Sequence, residues 1–453
     1  MSSQKLFRLK CEPNNYPWGE VGHDSLAAVL GQEGSGDLSI DPKEPYAELW
    51  MGTHPNNPAH LFASPKTLLS NHIAQHLELL GAASKFPARY PDKKGEELGG
   101  QGHVPFLFKI LTCKQALPLQ IHPNVELAKK LHAEDPEQFP DTNHKPEIAV
   151  CLSDRFLGFA GIRPIAQSRA LLRSTPEIQQ LPEKIQGYVN ALLGTSPSAG
   201  VKPESERVRD VFEQFISMEG DGVSDVVNKF VARVKKDGPA AFDQAGEEIP
   251  AEDKKRLVEA TDVLDKYNRG DGAIFASLFL MNLVELRKGE GMYVGADGPH
   301  AWLCGEIVEL MAASDNVLNV GFTPDKNSTS LVAKAITAQP SPVSDILLKR
   351  QTYHKGKQGN TTVYATPFEE FSILRISGSE TLEPLNGPGI AIVTESEGTT
   401  LADSQSSDSP VKAPRGSVWF LGAGTRLEVQ GKGEVWMAFY DGDEKSGNEV
   451  GKQ

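Results

Sequence analysis

The sequence predicts a mainly β chain carrying an all-helical insertion, and three observations predict it. Short apolar, β-branched and aromatic runs punctuated by Gly, Pro and Ser recur in the first third and again in the last, the rhythm of antiparallel sheets. Between Ile165 and Gly270 the apolar period changes from strand-like to helical. From residue 271 the strand rhythm returns. The division that follows is 1–164 and 271–330 as two parts of one β unit, 165–270 as the helical insertion, and 331–453 as a second antiparallel sandwich or jelly roll.

In chain order, Phe7 to Cys11 reads as a first strand, and Asn14 to Gly19 as turn chemistry around Trp18. Tyr46 to Pro55 reads as a strand ending in a His-Pro turn. Trp18 and Trp50 are first of all core-packing residues. Trp18 is also carried as a substrate-contact candidate. Val104 to Leu111 is a buried strand with Lys109 inside it. A lysine there needs a partner or must snorkel, so Lys109 is either an anion ligand or an edge-strand lysine. Leu117 to His122 alternates, with Leu117, Leu119 and Ile121 on one face and Gln120 and His122 on the other. Val125 to His132 is a helix with a polar face.

Arg163-Pro164 breaks the strand rhythm. Val208, Val211, Phe212, Phe215 and Ile216 then recur at helical spacing, as do Val223, Val226, Val227, Phe230, Val231 and Val234, and more weakly Leu257, Ala260, Leu264 and Tyr267. Pro203 and Pro250 sit at expected helix starts. These stripes are core, not a binding surface. Strands are expected again from Ala273, through Met292 to Val294, and over Glu306 to Met311, which carries Glu309. Later strands are expected at Phe371 to Ile376, Gly389 to Thr394, Ser417 to Leu421 and Val435 to Tyr440.

At 453 residues the chain is long enough for two or three complete cores. The formal charge of −14 argues against a general nucleic-acid surface. No apolar run is long enough to span a bilayer, and the first ten residues lack a signal-peptide core. The four cysteines show no CxxC spacing, so reduced thiols and a cytoplasmic location are expected.

Gln120 and His122, one residue apart on one strand face, need a carboxylate and another imidazole to close a metal site. Glu147 and His300 are the candidates. The set would suit zinc, and also iron or manganese. The competing reading is ordinary buried polar residues, with His54, His103, His132 and His144 as further imidazoles. A metal with open positions would polarise a carbonyl, and a nearby base would move a proton between adjacent carbons. Glu309 is a candidate pocket carboxylate or simply a partner for a lysine. Lys145, two residues before Glu147, would hold a phosphate or hydroxyl, or neutralise Glu147.

Six blocks together carry a resemblance: Tyr46 to His54, Phe106 to Lys109, Gln120 to Pro123, Asn143 to Glu147, Pro299 to Ala301, and Ser314 to Val317. With them the chain resembles the type I phosphomannose isomerases of fungi and animals, over nearly its whole length. The resemblance implies two cupin-type jelly-roll domains with a helical domain inserted in the first. It implies one zinc per chain on Gln120, His122, Glu147 and His300. It implies a monomer that interconverts mannose 6-phosphate and fructose 6-phosphate through a cis-enediol, supplying GDP-mannose synthesis. Lys109, Lys145 and Trp18 would contact substrate, and Lys145 and Glu309 would serve catalysis.

The chain departs from the family pattern after Ser314-Asp315-Asn316-Val317. Asn319 stands where the family has an arginine assigned to catalysis, and Asp325 where it has a lysine. Pro118 replaces a serine placed near the substrate phosphate, and Trp302 a tyrosine. A phosphate dianion favours arginine and disfavours an added carboxylate. Lys109, Lys145 and Lys326 are the lysines that would take over the phosphate. Otherwise the substrate differs, or turnover is weak, or the chain binds a sugar phosphate without converting it. A different cupin metalloenzyme, such as an iron oxygenase, is the remaining alternative, and Gln120 argues against it.

Overall fold

The structure, a computed structural model, describes residues 4–86, 102–195 and 202–442. It is mainly antiparallel β with inserted helices. Among the described residues, ten strands form one sheet system, eleven a second, and a two-stranded ribbon pairs Glu20–Val21 with Pro45–Tyr46.

The first system is built around one long strand, His300–Ala312. Its first half pairs with Arg155–Ile162 and touches Leu119–Ile121, and its second half pairs with Phe106–Cys113 and Glu147–Cys151. The change of partners falls at Gly305, whose φ is 110°. A Cβ there would sit 2.6 Å from the Arg155 carbonyl oxygen, so only glycine lets the strand turn this corner between sheets.

Six helices follow Arg163-Pro164: Ile165–Arg173, Glu183–Leu193, Glu204–Ile216, Asp221–Asp237, Ala251–Asn268 and Ala273–Leu280. Pro203 and Pro250 are the residues immediately before two of them. Val208, Val211, Phe212 and Phe215 are fully buried, as are Val227, Phe230 and Val234. Phe215, Phe230, Phe275 and Phe279 meet edge-on or tilted at 5.0 to 6.3 Å between ring centroids. Leu257, Ala260 and Leu264 face this core, whereas Tyr267 is exposed.

The expected strand at Ala273 is instead a helix, and the strand begins at Met281. Every residue of Ala273–Leu280 is buried. A run that is apolar on all sides has no period, so helix and strand look alike in the sequence.

Thr361–Tyr364, Ser372–Ser377, Gly389–Asp403, Val418–Leu421 and Leu427–Phe439 form the second system. The N-terminal strand Leu6–Lys10 belongs to it too, pairing with Val418–Leu421. The helix Leu26–Ser35 is tied to the same part of the molecule. Its Glu33 accepts from Arg415 at 2.8 Å, and its Gly34 backbone abuts Gly416. All four cysteines are free thiols. No helix among the described residues is long and apolar enough to cross a membrane.

Gly34 and Gly187 make opposite predictions. A Cβ on Gly34 would lie 2.0 Å from the Gly416 carbonyl oxygen, whereas one on Gly187 would meet nothing within 4 Å. In urea unfolding, Gly34→Ala is expected to cost about 1–3 kcal/mol through overpacking. Gly187→Ala, in the middle of a helix, is expected to stabilise by up to about 1 kcal/mol.

Candidate metal centre

Two cross-strand rows of side chains build the site. Gln120 is directly opposite His300 on one side and Asn319 on the other, so these three side chains share one sheet face. Trp50 is opposite Lys109, and Lys109 is opposite Glu309. The corner at Gly305 lets His300 and Glu309, nine positions apart on one strand, reach a common cavity. A straight strand would aim them at opposite faces. The cavity, of about 210 Å³, is lined by Gln120, Glu147, His300, Lys109, Glu309 and Lys145, with Trp18, Trp50, Trp302 and Pro118 among its walls.

His122, Glu147 and His300 are each at most 3% exposed. Their donor atoms lie within 4.8 Å of one another. Glu147 Oε1 is 3.3 Å from His122 Nε2, and Oε2 is 3.2 Å from His300 Nε2. His122 Nδ1 donates to the Asn316 carbonyl at 2.8 Å, and His300 Nδ1 to the Gly298 carbonyl at 3.2 Å. A carbonyl only accepts, so each proton sits on Nδ1 and each Nε2 keeps its lone pair. His122 Nε2 is buried with no hydrogen-bond partner. Lone pairs aimed at a carboxylate with no proton between them fit a shared divalent cation. Gln120 is opposite His300 on the same sheet face and lines the cavity.

Burial, reinforced by Lys145, pushes His122 down to about 4, so its imidazole is neutral near pH 7.

Asp141 organises the backbone behind His122. Its carboxylate accepts from Ser314 Oγ at 2.9 Å, Asp315 N at 2.8 Å, Asn316 Nδ2 at 3.0 Å and Asn143 N at 2.8 Å. The Asn316 carbonyl is thereby fixed where it meets the imidazole. The sequence reading missed Asp141. Its only signal was a buried-type cluster, Asp141 to Asn143 with Ser314 to Asn316, split by the insertion.

Lys109 is 6% exposed and lies between two carboxylates, 2.9 Å from Glu309 and 3.3 Å from Glu48. Burial would lower its pKa, but Glu309 and Glu48 outweigh that and raise it. Glu309 is occupied on both oxygens, since Trp302 Nε1 donates to the other at 2.8 Å. Burial raises its pKa. Glu48 was not foreseen; it also accepts from Trp50 Nε1 at 2.6 Å. Lys145 has a looser contact, 3.6 Å from Glu147 Oε1. Trp18 stacks on Tyr16 at 4.5 Å, and its indole N–H is buried without a partner.

The departing positions separate. Pro118 and Trp302 line the cavity. Asn319 shares the metal face, and its Oδ1 is buried without a partner. Asp325 is exposed. Lys326 is bound to Asp271 at 3.0 Å and does not line the cavity. The competing histidines are engaged elsewhere: His54 with Asp315, His103 with the Thr53 carbonyl, His132 with the Phe139 carbonyl and His144 with Glu370.

Comparison with known proteins gives a consistent result. Residues 6–165 match the phosphomannose isomerase type I catalytic domain. The mannose-6-phosphate isomerase of Cryptococcus neoformans is 34% identical over 97% of this chain and 100% of its own length. That of Candida albicans is 32% identical, over 95% and 96%. A crystal structure of mannose 6-phosphate isomerase bound with zinc and yttrium superposes with a TM-score of 0.74 at 23% identity, covering 97% of this chain and 100% of that one. A phosphomannose isomerase variant from Salmonella typhimurium gives a TM-score of 0.75, also at 23% identity. These two likenesses show the fold.

The buried histidine makes a pH prediction for metal-free protein. With His122 at about 4 in the fold and near 6.5 when unfolded, the unfolded chain binds the extra proton first as pH falls. Stability is therefore full above pH 6.5 and is lost as pH drops from 6.5 towards 4. The loss is of order 3 kcal/mol, at about 1.4 kcal/mol per pH unit. Urea unfolding of chelated protein at pH 7 and pH 4 measures it, and His122→Gln should remove most of that slope.

Proposed function

This chain belongs to the type I phosphomannose isomerases, and from that premise we propose that it is a zinc-dependent aldose–ketose isomerase. The reaction is the interconversion of mannose 6-phosphate and fructose 6-phosphate through a cis-enediol. Its place is the cytoplasm, where it feeds GDP-mannose synthesis, and its working form is a monomer. The observation that carries the reading is the orphaned His122 Nε2 facing Glu147 and His300 at the wall of a polar cavity.

Gln120, His122, Glu147 and His300 would hold one zinc. When bound, it would polarise the sugar carbonyl and its neighbouring hydroxyl. The chain's own residues do the rest. Lys145 Nζ, the lysine of the cavity least committed to carboxylates, binds the substrate oxygens and is the group placed to move a proton. Glu309, held by Trp302 and Lys109, fixes the Lys109 ammonium at the wall rather than taking a proton itself. Trp18, Trp50 and Trp302 exclude water and shape the space for a sugar ring.

One observation favours a second reading, a weakly active or non-catalytic sugar-phosphate binder. Of the three lysines considered for the phosphate, Lys109 is saturated by carboxylates and Lys326 is held by Asp271. Among the described residues, no arginine lines the cavity.

Two measurements test these readings. Zinc content and coupled production of fructose 6-phosphate are measured on one preparation. Turnover with one zinc per chain is expected, and His300→Ala and Glu147→Gln should lose both metal and activity. Stoichiometric zinc in either variant would refute the ligand set, and full zinc without turnover would favour the binder. Asn319→Arg is expected to raise kcat/KM about tenfold or more, the scale of one added charge-assisted contact. An unchanged kcat/KM would show that this position does not limit the reaction.

A further inference from the structure

A second cavity, of about 300 Å³, lies where the helical insertion leaves and rejoins the sheet. Arg163 and Pro164 at the entry, Asn282 to Glu285 at the return, Asp253 to Leu257 at the start of the last long helix, and Pro342-Val343 meet there. It is separate from the metal pocket and shares no residue with it.

Arg163 is the unusual member. It is 4% exposed. Its Nε donates to the Met281 carbonyl at 2.7 Å. Among the described residues, Nη1 and Nη2 have no hydrogen-bond or ion-pair partner, although Arg163 lines the cavity. The carboxylates nearby are already served by other arginines. Glu285 takes Arg155 at 2.7 Å, Arg287 at 2.6 Å and Arg256 at 3.3 Å, and Asp253 takes Arg256 at 2.6 Å. Burial pushes Arg163 down to about 10, with Asp253 partly opposing, so it remains charged. A charged guanidinium whose body is buried and whose fork has no ion-pair partner in a cavity it lines favours an anion there. The helix Ile165–Arg173 begins at the same point with no side-chain cap, so its first N–H groups add positive potential.

We propose that this cavity binds a small organic monocarboxylate, its two oxygens on the Nη1–Nη2 fork of Arg163 and its apolar body against Ile249, Leu257 and Val343. One spare cation matches one negative charge, and Asp253 and Glu285 disfavour a dianion such as phosphate. The ligand would bridge the insertion, the returning strand and the segment leading to the second β system.

The test is calorimetry on full-length, zinc-loaded protein with the sodium salts of acetate, butyrate and benzoate, and with inorganic phosphate and chloride at matched ionic strength. Saturable binding of a monocarboxylate is expected, weakened at least about tenfold in Arg163→Gln and retained in the metal-site variant His300→Ala. Gln167→Glu, which puts a carboxylate at the cavity wall, should abolish binding while leaving isomerase turnover unchanged. It carries the test if Arg163→Gln does not fold. Absence of monocarboxylate binding, undiminished binding in either cavity variant, loss in His300→Ala, or Arg163-dependent binding of phosphate alone would each overturn the proposal.

Discussion

The site depends on how two imidazole rings are pinned. Each gives its Nδ1 proton to a backbone carbonyl, Asn316 for His122 and Gly298 for His300. That single choice of tautomer turns both Nε2 lone pairs towards Glu147. If either carbonyl moved, the ring would be free to flip and the donor set would open. The Asp141 carboxylate, collecting bonds from Ser314, Asp315 and Asn316, keeps one of those carbonyls in place. The chemistry of the site therefore rests on a polar network one layer behind it.

The cavity divides its charges unequally. On one wall Lys109 is enclosed by Glu48, Glu309 and the face of Trp50, whose ring centroid lies 5.2 Å from the ammonium. This cation is part of the wall and has little capacity left for a substrate anion. On the other side Lys145 reaches only Glu147, at 3.6 Å, and a cation held by Glu147 would release it. Asn319, with an unpartnered amide oxygen on the metal face, leaves neutral a position where the family carries positive charge. On the proposed isomerase reading, the cavity offers the substrate phosphate fewer contacts than the family pattern supplies.

The long strand His300–Ala312 explains how distant residues share this space. It changes partners within the ten-stranded system by turning at Gly305, so it delivers an imidazole from one end and a carboxylate from the other. The helical insertion departs next to it, at Arg163, and returns through the Met281–Arg287 strand. Hence the insertion junction, where Arg163 has no ion-pair partner, follows directly on the Arg155–Ile162 strand that pairs with His300–Ala312.

The sequence by itself determined the element types wherever the apolar period was clear, as in the Phe212 and Phe230 helices and the alternation around Gln120 and His122. It also determined the family, because several blocks of residues recur in order along the chain. It misread Ala273–Leu280 as strand, because burial on every side erases the period, and it gave the N-terminal strand without its partner Val418–Leu421, which lies at the other end of the chain. Glu48 and Asp141 were invisible for a related reason: a carboxylate's role is set by what folds against it. Only the tertiary structure decided that Lys109 is spent on two carboxylates, that Lys326 is held by Asp271 away from the cavity, and that Arg163 is left without an anion. Periodicity is a local property of the chain, whereas the pairing of buried charges depends on distant partners, 200 residues apart for Lys109 and Glu309.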